Sequence, residues 1–379
     1  MKKIKFIVKF ILGRIVYFLS GFFPRNPNIW VFGSFNGFED NPKYLYLHVL
    51  NKNKEIRSIW IAKDKMELLQ ARNSGGEAYL FNSIKGFLFT LNAGIYIYSA
   101  YITDISFIAS RKAKKVNLWH GIPIKKIEFD ITSKPLVNHF SKANFINKMI
   151  YAYKHIVPDL LLCPSKYSAE YSFKSAFRIS ERQCLFARYP RVSALLEMKM
   201  NKENKKIILY MPTWRDKKPR FLDTAKIEFE KLNTIMRTYD ALFVIKLHPL
   251  TIIDRAFEYS NISICNKDSD LNELLFVSDC LVTDYSSVVF DYLHLNKPII
   301  FYNFDMDDYL KGREFYFDYN SIICGEIASD YSSLESKILA VIKGVDLFER
   351  KRKEIYDKFT SETGGNQLIV SSIKKIFEK

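Results

Sequence analysis

Short apolar runs rich in Ile, Val, Phe and Tyr recur from Pro24 onward, separated by longer stretches in which polar and apolar residues alternate at helical spacing. Continuous apolar runs mark strands buried on both faces, and the intervening segments have the length of crossover helices. The pattern predicts strands at Ile29–Gly33, Ile56–Ala62, Ile95–Ser99, Val116–Trp119 and Leu160–Cys163. A second series follows at Ile207–Met211, Leu242–Leu247, Ile262–Cys265, Cys280–Thr283 and Pro298–Tyr302. Between the series, residues 198–206 are charged and poor in apolar side chains, as a linker would be. The expected fold is α/β, with two Rossmann-like domains whose parallel sheets face a central cleft. The domains run over 25–197 and 198–345. Residues 346–379 read as helices packing back across the domains, broken at Thr363-Gly364-Gly365-Asn366.

The amino terminus has a different pattern. On a helical wheel Ile4, Ile7, Val8, Ile11, Leu12, Ile15, Phe18, Leu19 and Phe22 share one arc, while Lys2, Lys5, Lys9 and Gly13 lie opposite. Lys9 and Arg14 interrupt the run, so no stretch reaches the roughly 20 apolar residues needed to span a bilayer. Residues 1–24 are therefore expected to form an amphipathic helix. Residues 1–23 would lie in the plane of an anionic membrane surface. The alternatives are a surface helix packed on the first domain and a cleaved signal peptide. For the latter, Ser20-Gly21-Phe22 is a poor cleavage site.

Composition narrows the function. The chain has 379 residues, 48% hydrophobic, which excludes disorder and a disulfide-stapled miniprotein. Lys and Arg number 57 against 41 acids, a net charge of +16 that calls for an anionic partner. Cys163, Cys184, Cys265, Cys280 and Cys324 are scattered and form no C-x-x-C pair, which suits a reducing compartment and argues against zinc. Asp305-Met-Asp-Asp308 and Asp268-Ser-Asp270 imitate a metal-chelating pair but are read as ordinary loop acids, so the site residues include no metal ligand. The sequence points to no definite cofactor, and a magnesium ion is compatible with the reading. Nucleic acid is not an expected partner, because no pattern organises the dispersed lysines.

In open parallel sheets, ligands bind beyond the carboxyl ends of the strands. The residues there are His120-Gly121-Ile122-Pro123 with Lys125, Thr213-Trp214-Arg215, His248-Pro249, and Asp284-Tyr285-Ser286-Ser287. A histidine can take a proton from an alcohol at neutral pH, and a second can stabilise a leaving phosphate. Arg215 offers a planar fork for phosphate oxygens, or else pairs with Asp216 or another neighbouring acid. Ser286 and Ser287 open a helix whose N–H groups suit a phosphate; the alternative is that Asp284 or Ser286 merely caps that helix.

These residues, in order, resemble the CDP-glycerol:poly(glycerophosphate) glycerophosphotransferase family, the teichoic acid primases and polymerases of bacterial envelopes. The resemblance rests on Asn117-Leu-Trp-His-Gly-Ile-Pro-Ile-Lys-Lys126, Tyr210-Met-Pro-Thr-Trp-Arg-Asp216, Lys246-Leu-His-Pro249 and Val282-Thr-Asp-Tyr-Ser-Ser-Val-Val-Phe-Asp-Tyr292. It extends through Lys297-Pro-Ile-Ile-Phe-Tyr302 and Arg313-Glu-Phe-Tyr-Phe-Asp-Tyr319, with Trp30-Val-Phe-Gly-Ser34 and Asp40-Asn-Pro-Lys43 upstream. It implies a GT-B-like fold and an enzyme at the cytoplasmic face of the bacterial membrane. That enzyme would move glycerol phosphate, or another polyol phosphate, from CDP-glycerol or a CDP-polyol to a hydroxyl of a lipid-linked or polymeric glycan, releasing CMP. His120 would be the base and His248 would act on the donor phosphates. Arg215, Ser286, Ser287, Asp284 and Thr213 would bind the donor, with Gly121, Lys125 and Arg313 in auxiliary roles. Two departures stand out: Ile122 replaces the family's threonine, and Cys324-Gly325-Glu326 replaces a Pro-Gly-Pro segment. The rival readings are a glycosyltransferase using a nucleotide sugar and a non-catalytic membrane-surface scaffold.

Overall fold

A computed structural model describes the chain apart from residues 1, 200–204, 216–220, 249–250, 252–256, 267–268, 311–313, 361–362 and 378–379, and apart from the side chains of 2–7, 9, 221–222 and 310. Arg313, Asp216, Pro249, Asp268 and most of the expected linker thus fall outside the described residues. The chain divides into two compact units. One comprises residues 1–120, 127–193 and 362–379, the other 121–126 and 194–361.

The first unit carries a parallel sheet of β1 (Asn26–Phe32), β2 (Arg57–Ala62), β3 (Glu77–Leu80), β4 (Ala93–Tyr98), β5 (Lys114–Asn117), β6 (Leu160–Cys163) and β7 (Cys184–Phe186). Its order is β3-β2-β1-β4-β5-β6-β7, with Val31 of β1 in register with Ile59 and Tyr96. The second unit carries β8 (Lys206–Met211), β9 (Ala241–Ile245), β10 (Ile262–Ile264), β11 (Cys280–Thr283), β12 (Ile299–Tyr302) and β13 (Glu326–Ala328). Here the order is β10-β9-β8-β11-β12-β13, with Val282 opposite Tyr210 and Ile300. Both sheets are parallel throughout, as the uninterrupted apolar runs predict. In each the strand order reverses once, between β1 and β4 and between β8 and β11, and a crevice at such a switch point is where ligands bind.

All the expected strands are present. The additions are β3, β7 and β13, each at a sheet edge. An edge strand has one neighbour and is less completely covered, so it needs no continuous apolar run; Glu77 and Glu326 sit in two of them. Fully buried residues on the central strands, including Ile59, Ile61 and Tyr96 in one unit and Ile208, Phe243, Val282 and Ile300 in the other, form the two cores.

The helix Lys2–Ser20 lies on the first unit. Tyr17 stacks on Phe107 with ring centroids 4.6 Å apart, and a Cβ on Gly13 would stand 3.5 Å from Ile108, so this face approaches the body closely. The opposite arc, Val8, Ile11, Leu12, Ile15, Phe18 and Leu19, is exposed, and Phe22 is 70% exposed. Among the described residues no helix is long and apolar enough to cross a membrane. At the other terminus lie the helices Tyr331–Ile342, Glu349–Phe359 and Asn366–Lys374; the glycine pair precedes the last as expected, whereas the break after Ile342 is unexpected. The last belongs to the first unit, where the Arg188 N–H donates to the Gly364 carbonyl at 2.8 Å.

Candidate active site

In the first unit, residues that follow β1, β2, β4 and β5 converge at the carboxyl end of the sheet. Beyond β5 the chain bends at Trp119, whose φ of 50° is left-handed and costs a non-glycine residue about 1–2 kcal/mol. That bend is why β5 stops at Asn117, short of the expected Trp119. It is held by hydrogen bonds on both sides. The Trp119 N–H donates to Asn117 Oδ1 at 2.8 Å, and buried Asn41 donates from Nδ2 to the Trp119 carbonyl at 2.8 Å. Arg191 pairs with Asp40 at 2.5 Å and donates to the His120 carbonyl at 3.0 Å.

On this rigid turn the His120 side chain is exposed, stacked obliquely on Trp119 with centroids 4.1 Å apart, and its Nδ1 lies 3.1 Å from the Ser99 carbonyl oxygen. Surrounding protein partly desolvates the ring and pushes its pKa below the ordinary histidine value, against the opposing charge of Asp40. The imidazole is therefore neutral, and able to accept a proton, at neutral pH.

In the second unit the loops after β8, β11 and β12 meet. Arg215, 6% exposed, donates from Nε and Nη2 to Asp305 at 2.9 Å each, from Nη2 to Asp284 at 2.8 Å, and from Nη1 to the Thr213 carbonyl at 2.6 Å. Burial opposes its charge, but the hydrogen bonds and charges of Asp305 and Asp284 outweigh it and raise its pKa. The guanidinium also lies 4.6 Å from the centre of the Tyr309 ring, which stacks on Tyr285. Asp284, 1% exposed, accepts the N–H groups of Thr213 at 2.8 Å and Tyr285 at 2.6 Å. Arg215 and Asp284 are thus turned onto one another and onto the loop backbone, the ion pair that an arginine beside acids favours. The partners are distant in sequence, however, and Asp305 belongs to the segment that imitates a metal-binding pair.

Ser286 and Ser287 are half-buried, and Ser286 Oγ accepts the Val288 N–H at 3.3 Å, a capping contact at the start of the short helix Val288–Tyr292. The Thr213 hydroxyl is buried and finds no hydrogen-bond partner among the described residues. His248 stands exposed beyond β9 with its ring 5.5 Å from that of Trp214, and desolvation lowers its pKa.

Gly121 and Lys125 are grouped with the second unit. Lys125 bridges Phe315 in antiparallel fashion, and its Nζ lies 5.2 Å from the centre of the Tyr309 ring. Gly121, at φ 147°, adopts a backbone conformation that side chains resist. Among the described residues no group of three or more His, Cys, Asp or Glu could hold a metal ion. The residues here that motif reading passes over are Asp104 and Tyr309, neither of which has a signal in local spacing, while Asp305 stands out in the sequence only as half of a metal-like pair and not as a partner of Arg215.

Comparison with known proteins agrees with this architecture. The chain is 30% identical to a teichoic acid poly(glycerol phosphate) polymerase of Staphylococcus epidermidis, over 89% of its own length and 49% of the relative's. It therefore spans about half of that protein. A teichoic acid glycerol-phosphate transferase of Staphylococcus aureus is 29% identical, covering 92% of this chain and 94% of the relative. Among solved structures, a variant of the wall teichoic acid polymerase TagF soaked with CDPG superposes with a TM-score of 0.76 at 26% identity, covering 100% of this chain and 98% of that one. Residues 15–371 match the model of the CDP-glycerol:poly(glycerophosphate) glycerophosphotransferases, and the chain belongs to that family.

Proposed function

We propose that the protein transfers glycerol phosphate from CDP-glycerol to a hydroxyl of a lipid-linked or polymeric cell-envelope glycan, with release of CMP. The acceptor oxygen attacks the glycerol-bearing β-phosphorus in line while the bond from that phosphorus to the CMP oxygen breaks. His120 takes the acceptor proton, and His248 stabilises the charge that gathers on the departing CMP. The Thr213 hydroxyl and the Ser286 and Ser287 loop contact the donor phosphates, and Arg215 keeps that loop in shape through Asp284 and Asp305.

The observation that carries this reading is a pair of exposed histidines, each beyond the carboxyl end of a parallel strand in its own unit and each with its pKa lowered, so that both are neutral at pH 7. The experiment is incubation with CDP-glycerol, and separately with CDP-ribitol, plus a lipid-linked disaccharide. CMP release with the acceptor gaining glycerol phosphate is the expected outcome. Release of a nucleoside diphosphate from a sugar nucleotide would instead identify a glycosyltransferase. Donor binding without turnover would identify a scaffold.

The protein is further proposed to work at the cytoplasmic face of the membrane, held on anionic lipid by the helix Lys2–Ser20. Its exposed apolar arc supports this. So does the adjoining helix Phe145–Ile150, tied to it by a hydrogen bond from Arg14 to the Met149 carbonyl and exposing Phe145 at 77% and Ile146 at 64%. Apolar patches of that extent are rare on free surfaces of soluble monomers. Replacing Leu12 and Ile15 with Glu should abolish sedimentation with vesicles containing phosphatidylglycerol. Unchanged sedimentation would refute the anchor.

A further inference from the structure

Which nitrogen of His120 carries the proton follows from its neighbour. A carbonyl oxygen can only accept a hydrogen bond, so the contact between Nδ1 and the Ser99 carbonyl, at 3.1 Å, puts the proton on Nδ1 and leaves the lone pair on Nε2. A base needs that lone pair directed at the proton it removes. The position of the Ser99 carbonyl therefore sets the state of the base.

That carbonyl is held by a buried carboxylate. Asp104, 2% exposed, accepts the N–H of Ala100 at 2.8 Å and of Ser99 at 3.3 Å, closing the turn that follows β4. Lys63, beyond β2, sets its Nζ 4.0 Å from the same carboxylate and donates to the carbonyls of Ser34 and Phe35 at 2.8 Å each. The Ser34 and Ser99 hydroxyls lie 3.1 Å apart. Gly33 makes room for this arrangement, since a Cβ there would stand 2.6 Å from the Asp104 carbonyl oxygen. Asn117 ties the two turns together, accepting from the Trp119 N–H and donating to the Ala100 carbonyl at 3.2 Å. A carboxyl so deeply buried has its pKa pushed up to about 6, a cost that unconstrained packing would avoid. The motif Trp30-Val-Phe-Gly-Ser34, which the chemistry proper leaves without a task, belongs to this support.

We propose that Asp104 is a positioning residue for the transfer reaction: by clamping the Ser99–Ala100 turn it keeps His120 in the Nδ1–H form, with Nε2 available to the acceptor hydroxyl. This rests on the reading of His120 as the base.

The test uses the full chain labelled with ¹⁵N at histidine and read by long-range ¹H–¹⁵N correlation, with His120→Gln assigning the signal. In the unaltered protein His120 should be protonated on Nδ1. Asp104→Asn should keep that form, because the amide oxygen can accept the same two N–H groups. Asp104→Ala should let the Nε2–H form grow in. In turnover, Asp104→Ala should lower kcat about tenfold or more while the KM for donor stays within about twofold. Asp104→Asn should retain kcat. An Nε2–H signal in the unaltered chain overturns the proposal without needing any variant to fold. So does an Asp104→Ala protein with unchanged tautomer and kcat. If His120→Ala keeps its turnover while Asp104→Ala still shifts the tautomer, the reading of His120 as base fails and the clamp stands.

Discussion

The turn after β5 and the loops after β8, β11 and β12 are both built from motif residues at strand ends, yet they use charge in opposite ways. In the first, His120, the proposed base, is exposed, and the ionised residues around it, Asp104 and Arg191, are buried supports. In the second, Arg215 and Asp284, the residues whose types suggest ligand contact, are themselves the buried supports, at 6% and 1% exposure. A motif therefore names the residues that matter without separating those that react from those that hold. Burial and hydrogen-bond partners make that separation.

The largest effect should come from breaking the second region's support. Arg215→Ala leaves the Asp284 and Asp305 carboxylates buried and uncompensated, which costs about 3–5 kcal/mol and lowers the unfolding midpoint by roughly 10 °C. Arg215→Lys should recover little, since an ammonium cannot span three acceptors. Differential scanning calorimetry decides; an Arg215→Ala protein as stable as the unaltered chain would mean that the guanidinium is a ligand-binding group after all, and the contrast between the regions would disappear.

A smaller effect concerns Asp104. Its folded pKa, pushed up to about 6, lies above the unfolded value near 3.9, so the folded state holds that proton more tightly. Its stability contribution is most favourable below the unfolded value and is lost as pH rises to about 6. Asp104→Asn should therefore gain on the unaltered protein between pH 4 and 7, by about 2–3 kcal/mol at most. Urea unfolding at the two pH values measures the gain, and a constant difference would show that the carboxylate is not buried as charged. The smallest effect is in the pH profile. Because desolvation lowers the His120 pKa, the acid limb of kcat/KM should fall below about pH 6.5. A limb above pH 7 would sharpen the comparison the wrong way, placing a stabilised cation on the turn.

Much of the fold is legible in the sequence because parallel strands covered on both faces must be apolar without interruption; β1, β2, β4 and the central strands of the second sheet announce themselves that way. The edge strands β3, β7 and β13 do not, since one open side relaxes the requirement. The placement of His120, His248 and Ser286 just beyond strands is legible in the same way. The role of Asp104 is not, because nothing in the residues beside it distinguishes a carboxylate that closes a turn from an ordinary loop acid, and the metal-like spacing at Asp305 gives no sign that it answers an arginine 90 positions away.

The central claim is that His120 performs the proton transfer while the donor is bound by other residues. It is tested most directly by comparing the unaltered chain with His120→Ala, measuring CDP-glycerol affinity by calorimetry and CMP release in a single turnover. The account predicts unchanged donor affinity with CMP release slowed by about 10²–10⁴-fold. Near-normal release from the alanine variant would contradict it.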